Sequence, residues 1–197
     1  MTKQAIFFVE NEYADWEGSY LASQLNQTKD WKTKTASTQR TVKSIGGFTT
    51  TVDYLIKDLP DNIDLLILIG GNSWNLENSS LVALIQKRLD NNQPTAAICG
   101  AVDFLARNSL LNNYKHTGNS QALWQSYTNY TNPNDFAEQQ VVIDRNLITA
   151  NGTATLSFTN QVLKLIMNDS PREIDKITDL YRLGFYDYCK KYGNPFE

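Results

Sequence analysis

The sequence predicts an α/β protein with a mainly parallel sheet flanked by helices on both faces. Three observations carry that reading. Strand-like and helix-like segments alternate along the chain; the central strand-like segments are short continuous apolar runs such as "LLILI"; and two of them end directly in glycine or cysteine before a helix begins. In such a sheet, the loops after the strand C-termini form the ligand site.

The elements follow in order. "QAIFFV" is a buried strand, "DWEGSYLASQLNQ" a helix with Trp16, Tyr20, Leu21 and Leu25 on one side, and "WKTKTAS" an alternating second strand. "VKSIGGFTTTVDYLI" has β-branched residues on both sides of Gly46 and Gly47, which predicts a hairpin or bent excursion at an edge. "DLLILIGG" is the next strand and "SSLVALIQKRLDNN" an amphipathic helix, followed by the short strand "TAAIC" and the helix "AVDFLARNSLL". "QQVVIDRNLITA" supplies two short strands around an Asp144–Asn146 turn, and "TATLSFTNQVLKLIMN" another helix. After Ser170-Pro171, the residues Ile174, Ile177, Leu180, Tyr181, Phe185 and Tyr188 recur at helical spacing, which predicts a C-terminal helical extension over about 171–190. Its aromatic stripe reads as packing surface.

At 197 residues the chain is long enough for one sizeable core, so one domain spanning 1–197 is expected. A net charge of -3 carries no footprint for nucleic acid or an anionic membrane. The partner is then a small molecule or a protein. The apolar run Ala5–Val9 is too short for a signal or membrane segment, and the expected location is cytoplasmic. In a reducing compartment, Cys99 and Cys189 are separate thiols. With a single histidine and no cysteine pair, no metal-ligand set and no cofactor are expected.

Cys99 ends a run of small apolar residues directly before Gly100 and a helix-like segment. A residue at so tight a strand-to-helix turn is pushed toward the exposed end of the sheet, as in a nucleophile elbow. The helix N-terminus favours the thiolate and predicts a depressed thiol pKa. The backbone N–H groups of Gly71 and Gly100 are candidates for holding an oxyanion, although Gly70-Gly71 by itself is equally a plain turn. His116, the only histidine, lies in the polar loop "NNYKHTGNS" and is a candidate proton shuttle for Cys99. Trp16, Asn72, Trp74, Asn119 and Trp124 are candidates for the pocket lining.

Taken together, "ADWEGS", "GGFTTTVDY", "LILIGGN", "AAICGA", "KHTGN" and "LITANGTATLSF" resemble, in order and spacing, the ThiJ/PfpI superfamily. The resemblance implies a flavodoxin-like, class I glutamine amidotransferase-like fold and a homodimer. It places the elbow cysteine at Cys99, the nearby histidine at His116, the acidic partner at Glu17 and the oxyanion donors at Gly71 and Gly100. Without it, Glu17 reads as a solvated first-turn carboxylate. No later histidine exists to complete a glutaminase triad, and Gly100 stands where PfpI-type proteases carry histidine; both departures argue against glutaminase and peptidase activity. The expected activity is cysteine-dependent chemistry, glyoxalase- or deglycase-like, on a small carbonyl or amide. The alternative is a non-catalytic redox or stress-response protein in which Cys99 is oxidised.

Overall fold

The computed structural model describes residues 2–167 and 169–197. Strand β1 (Lys3–Phe8) leads into helix α1 (Asp15–Gln27) and strand β2 (Trp31–Ser37). A hairpin of β3 (Thr41–Lys43) and β4 (Thr49–Thr51) precedes the short β5 (Tyr54–Leu55), then β6 (Leu65–Leu68), α2 (Ser79–Asp90), β7 (Thr95–Ile98) and α3 (Gly100–Arg107). The chain closes with β8 (Val141–Asp144), β9 (Leu147–Ala150), α4 (Thr155–Ile166), α5 (Pro171–Leu183) and α6 (Phe185–Tyr192).

The main sheet has seven strands in the order β5-β2-β1-β6-β7-β9-β8, all parallel except the final β8–β9 pair. The direction of travel across the sheet reverses at β1 and β6, which makes the crevice beyond their carboxyl ends the natural ligand position. The period-two alternation of β1 feeds two cores. Ile6 and Phe8 join Leu66, Leu68 and the apolar faces of α2 and α3, whereas Ala5 and Phe7 join Leu65, Ile67 and residues of α1 and α4 such as Leu21 and Phe158. The sheet is therefore covered on both faces, as continuous apolar strands require.

Two expectations are corrected. The Gly46–Gly47 hairpin forms but makes its own two-stranded sheet, and β5 occupies the edge of the main one. The C-terminal segment is two helices rather than one, because Gly184 at φ 78° turns the chain between α5 and α6. Helix α5 starts on the Ser170 cap and packs against α4, where Asn160 Nδ2 donates to Thr178 Oγ1 at 3.0 Å, and against α1 through an edge-on Tyr20–Tyr181 pair. Helix α6 is tied back by Lys191 Nζ and Tyr192 Oη, both on Asp179 Oδ2 at 2.8 and 2.7 Å. The expected helix over "TATLSFTNQVLKLIMN" is present as α4, and its last residue, Asn168, lies outside the described residues. No helix among the described residues is long and apolar enough to cross a membrane.

Candidate active site

The site is built where β1, β6, β7 and β9 end. Strand β7 consists of Thr95, Ala96, Ala97 and Ile98, all buried, and its small residues let the neighbouring strands close in. The next residue, Cys99, is held at φ 59° and ψ -131° by Cys99 N donating to Ala150 O (2.9 Å) on one side and Val102 N donating to Cys99 O (2.9 Å) on the other. That backbone is strained for a residue with a Cβ, at a cost on the order of 1–3 kcal/mol, and it lifts the half-buried thiol over the end of the sheet. Helix α3 begins at the following residue.

Glu17 comes from the first turn of α1 and is 1% exposed, which corrects the solvated-carboxylate reading of this residue taken alone. Its Oε2 accepts from Gly70 N at 2.8 Å, while Oε1 is buried with no nitrogen or oxygen partner among the described residues. That second oxygen and the Cys99 thiol face the same glycine: a Cβ placed on Gly152 would sit 2.9 Å from Cys99 Sγ and 3.2 Å from Glu17 Oε1. A glycine at 152 is what lets the loop after β9 close over the pair.

Burial pushes the Glu17 carboxyl up to about 7, against the lowering effect of the Cys99 and Gly70 hydrogen bonds. Burial also pushes the Cys99 thiol up, and a charged Glu17 pushes it further; Asn119 and the Gly100 N–H pull it down. The expected simple depression of the thiol by the helix terminus is thus corrected, because desolvation outweighs the dipole here. The two groups form one titrating pair, in which a protonated Glu17 removes the repulsion and offers an O–H to the sulfur.

The remaining partner of the sulfur is Asn119, not His116. Asn119 Nδ2 donates to Cys99 Sγ at 3.3 Å, and its Oδ1 accepts from Gly152 N at 2.8 Å, which fixes the orientation of the amide. The segment carrying it runs along β9, held by Thr117 N donating to Thr149 Oγ1 at 2.9 Å. His116, three residues earlier, is wholly buried. Its Nδ1 lies 2.7 Å from Tyr114 O and therefore carries the hydrogen, and its Nε2 lies 2.7 Å from the Tyr130 hydroxyl. The ring packs against Trp124, Tyr130 and Phe136, and burial lowers its pKa. Both ring nitrogens are engaged inside this aromatic cluster, so the polar-loop reading of His116 is corrected to a buried one.

Gly71 and Gly100 do meet at the elbow: a Cβ on Gly100 would lie 2.6 Å from Gly71 O. Ala14 N donates to Gly70 O and Asn72 N to Glu12 O, which leaves the Gly71 N–H outside that ladder. Of the candidate lining residues, Trp74 is a core residue whose Nε1 donates to Ile69 O at 2.8 Å, while Trp16 and Asn72 are exposed. Trp124 and Asn119 line an open cleft of about 820 Å³ that starts beside the elbow. Cys99 does not itself line it; Asn119 stands between the cleft and the sulfur. Among the described residues there is no cluster of three or more metal-ligating side chains.

An elbow cysteine backed by a buried carboxyl group, at the strand-order reversal of a two-faced parallel sheet, defines a class of α/β proteins with a thiol at a strand-to-helix turn. The chain belongs to the DJ-1/PfpI family, whose model matches residues 3–165. It is 52% identical over 194 residues, 98% of both chains, to the uncharacterized protease YdeA of Bacillus subtilis, and 30% identical to the uncharacterized protease YoaZ of the same organism, over 93% of this chain and 91% of that one. Among solved structures, the thiJ/pfpI family protein from Bacillus anthracis superimposes with a TM-score of 0.88 at 29% identity, covering 97% of this chain and 95% of that chain.

Proposed function

We propose that the protein is a cysteine-dependent enzyme acting on a small carbonyl compound, with Cys99 as nucleophile and Glu17 as the group that gives and takes the proton. The observation that carries this reading is the shared environment of Cys99 Sγ and the partnerless, buried Glu17 Oε1. Addition of the thiolate to an aldehyde forms a C–S bond and moves the carbonyl π pair onto oxygen, where the Gly71 and Gly100 N–H groups stabilise it. Glu17 then supplies the proton that completes the hemithioacetal.

With an α-keto aldehyde such as methylglyoxal, the resulting carboxylate removes the hydrogen on the sulfur-bearing carbon. The proton returns on the former ketone carbon, so the aldehyde carbon is oxidised to a thioester as its neighbour is reduced to an alcohol. Water hydrolyses the thioester, which releases lactate and restores the thiol. No external oxidant or reductant enters. A carboxyl group with a pKa about 7 is suited to both proton transfers near neutrality.

The names of the two Bacillus relatives would carry peptidase activity to this chain. The arrangement at Cys99 supports that less well, since no histidine stands beside the sulfur: both nitrogens of His116 are held by Tyr114 O and the Tyr130 hydroxyl, and the amide on the sulfur is that of Asn119. The same pair supports the alternative role of Cys99 as an oxidisable sensor, because a protonated Glu17 is also a donor to a sulfinate. Turnover of methylglyoxal decides between them. The wild type is expected to turn it over, with Glu17→Gln reduced by about 10²–10⁴; no turnover, together with addition of two oxygens at Cys99 by mild peroxide, would favour the sensor.

A further inference from the structure

We propose that the cleft beside Cys99 is a binding site for a neutral, hydroxyl-rich chain, so that the preferred substrate is a sugar-derived carbonyl compound longer than methylglyoxal. This deepens the carbonyl reading and rests on it for the position of the reacting carbon. At about 820 Å³, the cleft falls within the range of small-molecule sites, roughly 300–1,000 Å³, and is more than a three-carbon aldehyde would fill.

Its chemistry is unusual. Among the described residues, six that line it are carboxamides, namely Asn119, Gln121, Gln125, Gln139, Gln140 and Asn151, whereas its only carboxylate is Glu138 and it has no lysine, arginine or histidine. An anionic ligand would meet no countercharge there. A carboxamide offers an acceptor and two donors, which complements a hydroxyl group, itself both donor and acceptor.

Several of these groups are already oriented. Gln121 Nε2 is fixed on Pro133 O at 2.6 Å, and Asn151 Oδ1 accepts from Thr153 N at 3.0 Å and from Thr153 Oγ1 at 2.6 Å, with Gln140 Oε1 3.2 Å from the same hydroxyl. The amino groups of Asn151 and Gln140 remain as donors for a ligand, and Tyr127 and Tyr130 add apolar ring surface for a sugar carbon chain. An extended peptide would also satisfy carboxamides, but peptides commonly dock by adding to a strand edge, and the lining residues lie in turns, bends and short 3₁₀ segments rather than in a strand. Asn119 joins the two parts of the site: one wall of the cleft ends on the amide that donates to Cys99 Sγ.

The test uses the full-length protein and xylitol, a polyol with no carbonyl, so that binding is measured apart from any chemistry at Cys99. Backbone amide resonances of residues 119–125 and 139–152 are expected to shift on titration with xylitol. Gln140→Leu and Asn151→Leu should each weaken binding about tenfold while the remaining resonances stay in place, and xylitol 5-phosphate should bind at least about tenfold more weakly than xylitol. Absence of shifts in these segments, unchanged affinity in both variants, or tighter binding of the phosphate or of N-acetylalanine methylamide as a peptide mimic would overturn the proposal. Xylitol binding without turnover of any aldehyde would sink the catalytic reading and leave the cleft assignment standing; aldehyde turnover without xylitol binding would do the reverse.

Discussion

Gly71→Ala is expected to cost the fold about 3 kcal/mol or more and to remove the site with it. Gly71 lies at φ 144°, a conformation that L side chains rarely adopt, and an added Cβ would stand 2.2 Å from Glu12 O and 2.7 Å from Tyr13 Cα. Those contacts are with backbone, so no side-chain rotation relieves them. The only escape is to part the β6 loop from the β1 loop, breaking the Asn72 N to Glu12 O bond and unseating the segment that leads into Glu17. Gly47→Ala is the internal comparison: Gly47 also has a positive φ, 87°, but a Cβ there meets only Lys43 Cε at 3.9 Å, so the cost should be about 1–2 kcal/mol. Denaturant unfolding of both variants checks this, and equal losses would mean that the loop contact is not what holds the site together.

Cys99→Ala is expected to reduce turnover of methylglyoxal by at least about a thousandfold while leaving the protein folded. Alanine keeps the Cβ and the strained elbow but has no atom to form the C–S bond. Asn119 and Glu17 would lose their shared partner, yet Asn119 would stay bonded to Gly152 N and Glu17 to Gly70 N. Steady-state kinetics with matched unfolding curves separate loss of chemistry from loss of structure. Residual turnover within tenfold of wild type would place the reaction elsewhere.

Much of this architecture was legible in the residues because continuous apolar runs and helical periodicity are local signals. The limits of α1 and β2 follow directly from "DWEGSYLASQLNQ" and "WKTKTAS", and the elbow follows from a small-residue strand meeting Cys99-Gly100. The break at Gly184 was harder to see, since the apolar spacing continues across it and only a positive φ shows that the helix stops.

The environment of the sulfur was the least legible part. His116 is the natural candidate on residue type, because its pKa suits proton transfer. What removes it is long-range packing: Trp124 and Phe136 enclose the ring, and Tyr114 O and the Tyr130 hydroxyl occupy its nitrogens. The residue that does reach Cys99, Asn119, was identifiable from the sequence as a candidate for the pocket lining but not as a partner of the sulfur. Its role comes from Gly152, more than thirty residues on, whose N–H turns the amide toward the sulfur. The direction of the thiol pKa shift is hidden for a related reason: a helix N-terminus is visible in a sequence, whereas desolvation by packing is not.

The central claim is that Cys99 and Glu17 act as one proton-sharing pair and that His116 stands outside it. The most direct test is the rate of Cys99 alkylation by iodoacetamide as a function of pH, followed by peptide mass spectrometry in the wild type, Glu17→Gln and His116→Gln. Because the thiolate is the reacting species and its formation depends on where the pair holds its proton, the wild-type profile should rise in two steps, the first near the Glu17 value of about 7. Glu17→Gln should leave a single step, displaced below the upper wild-type step because the repelling carboxylate is gone, and His116→Gln should keep both steps. A single wild-type step unaffected by Glu17→Gln, or loss of the first step in His116→Gln alone, would contradict the pairing.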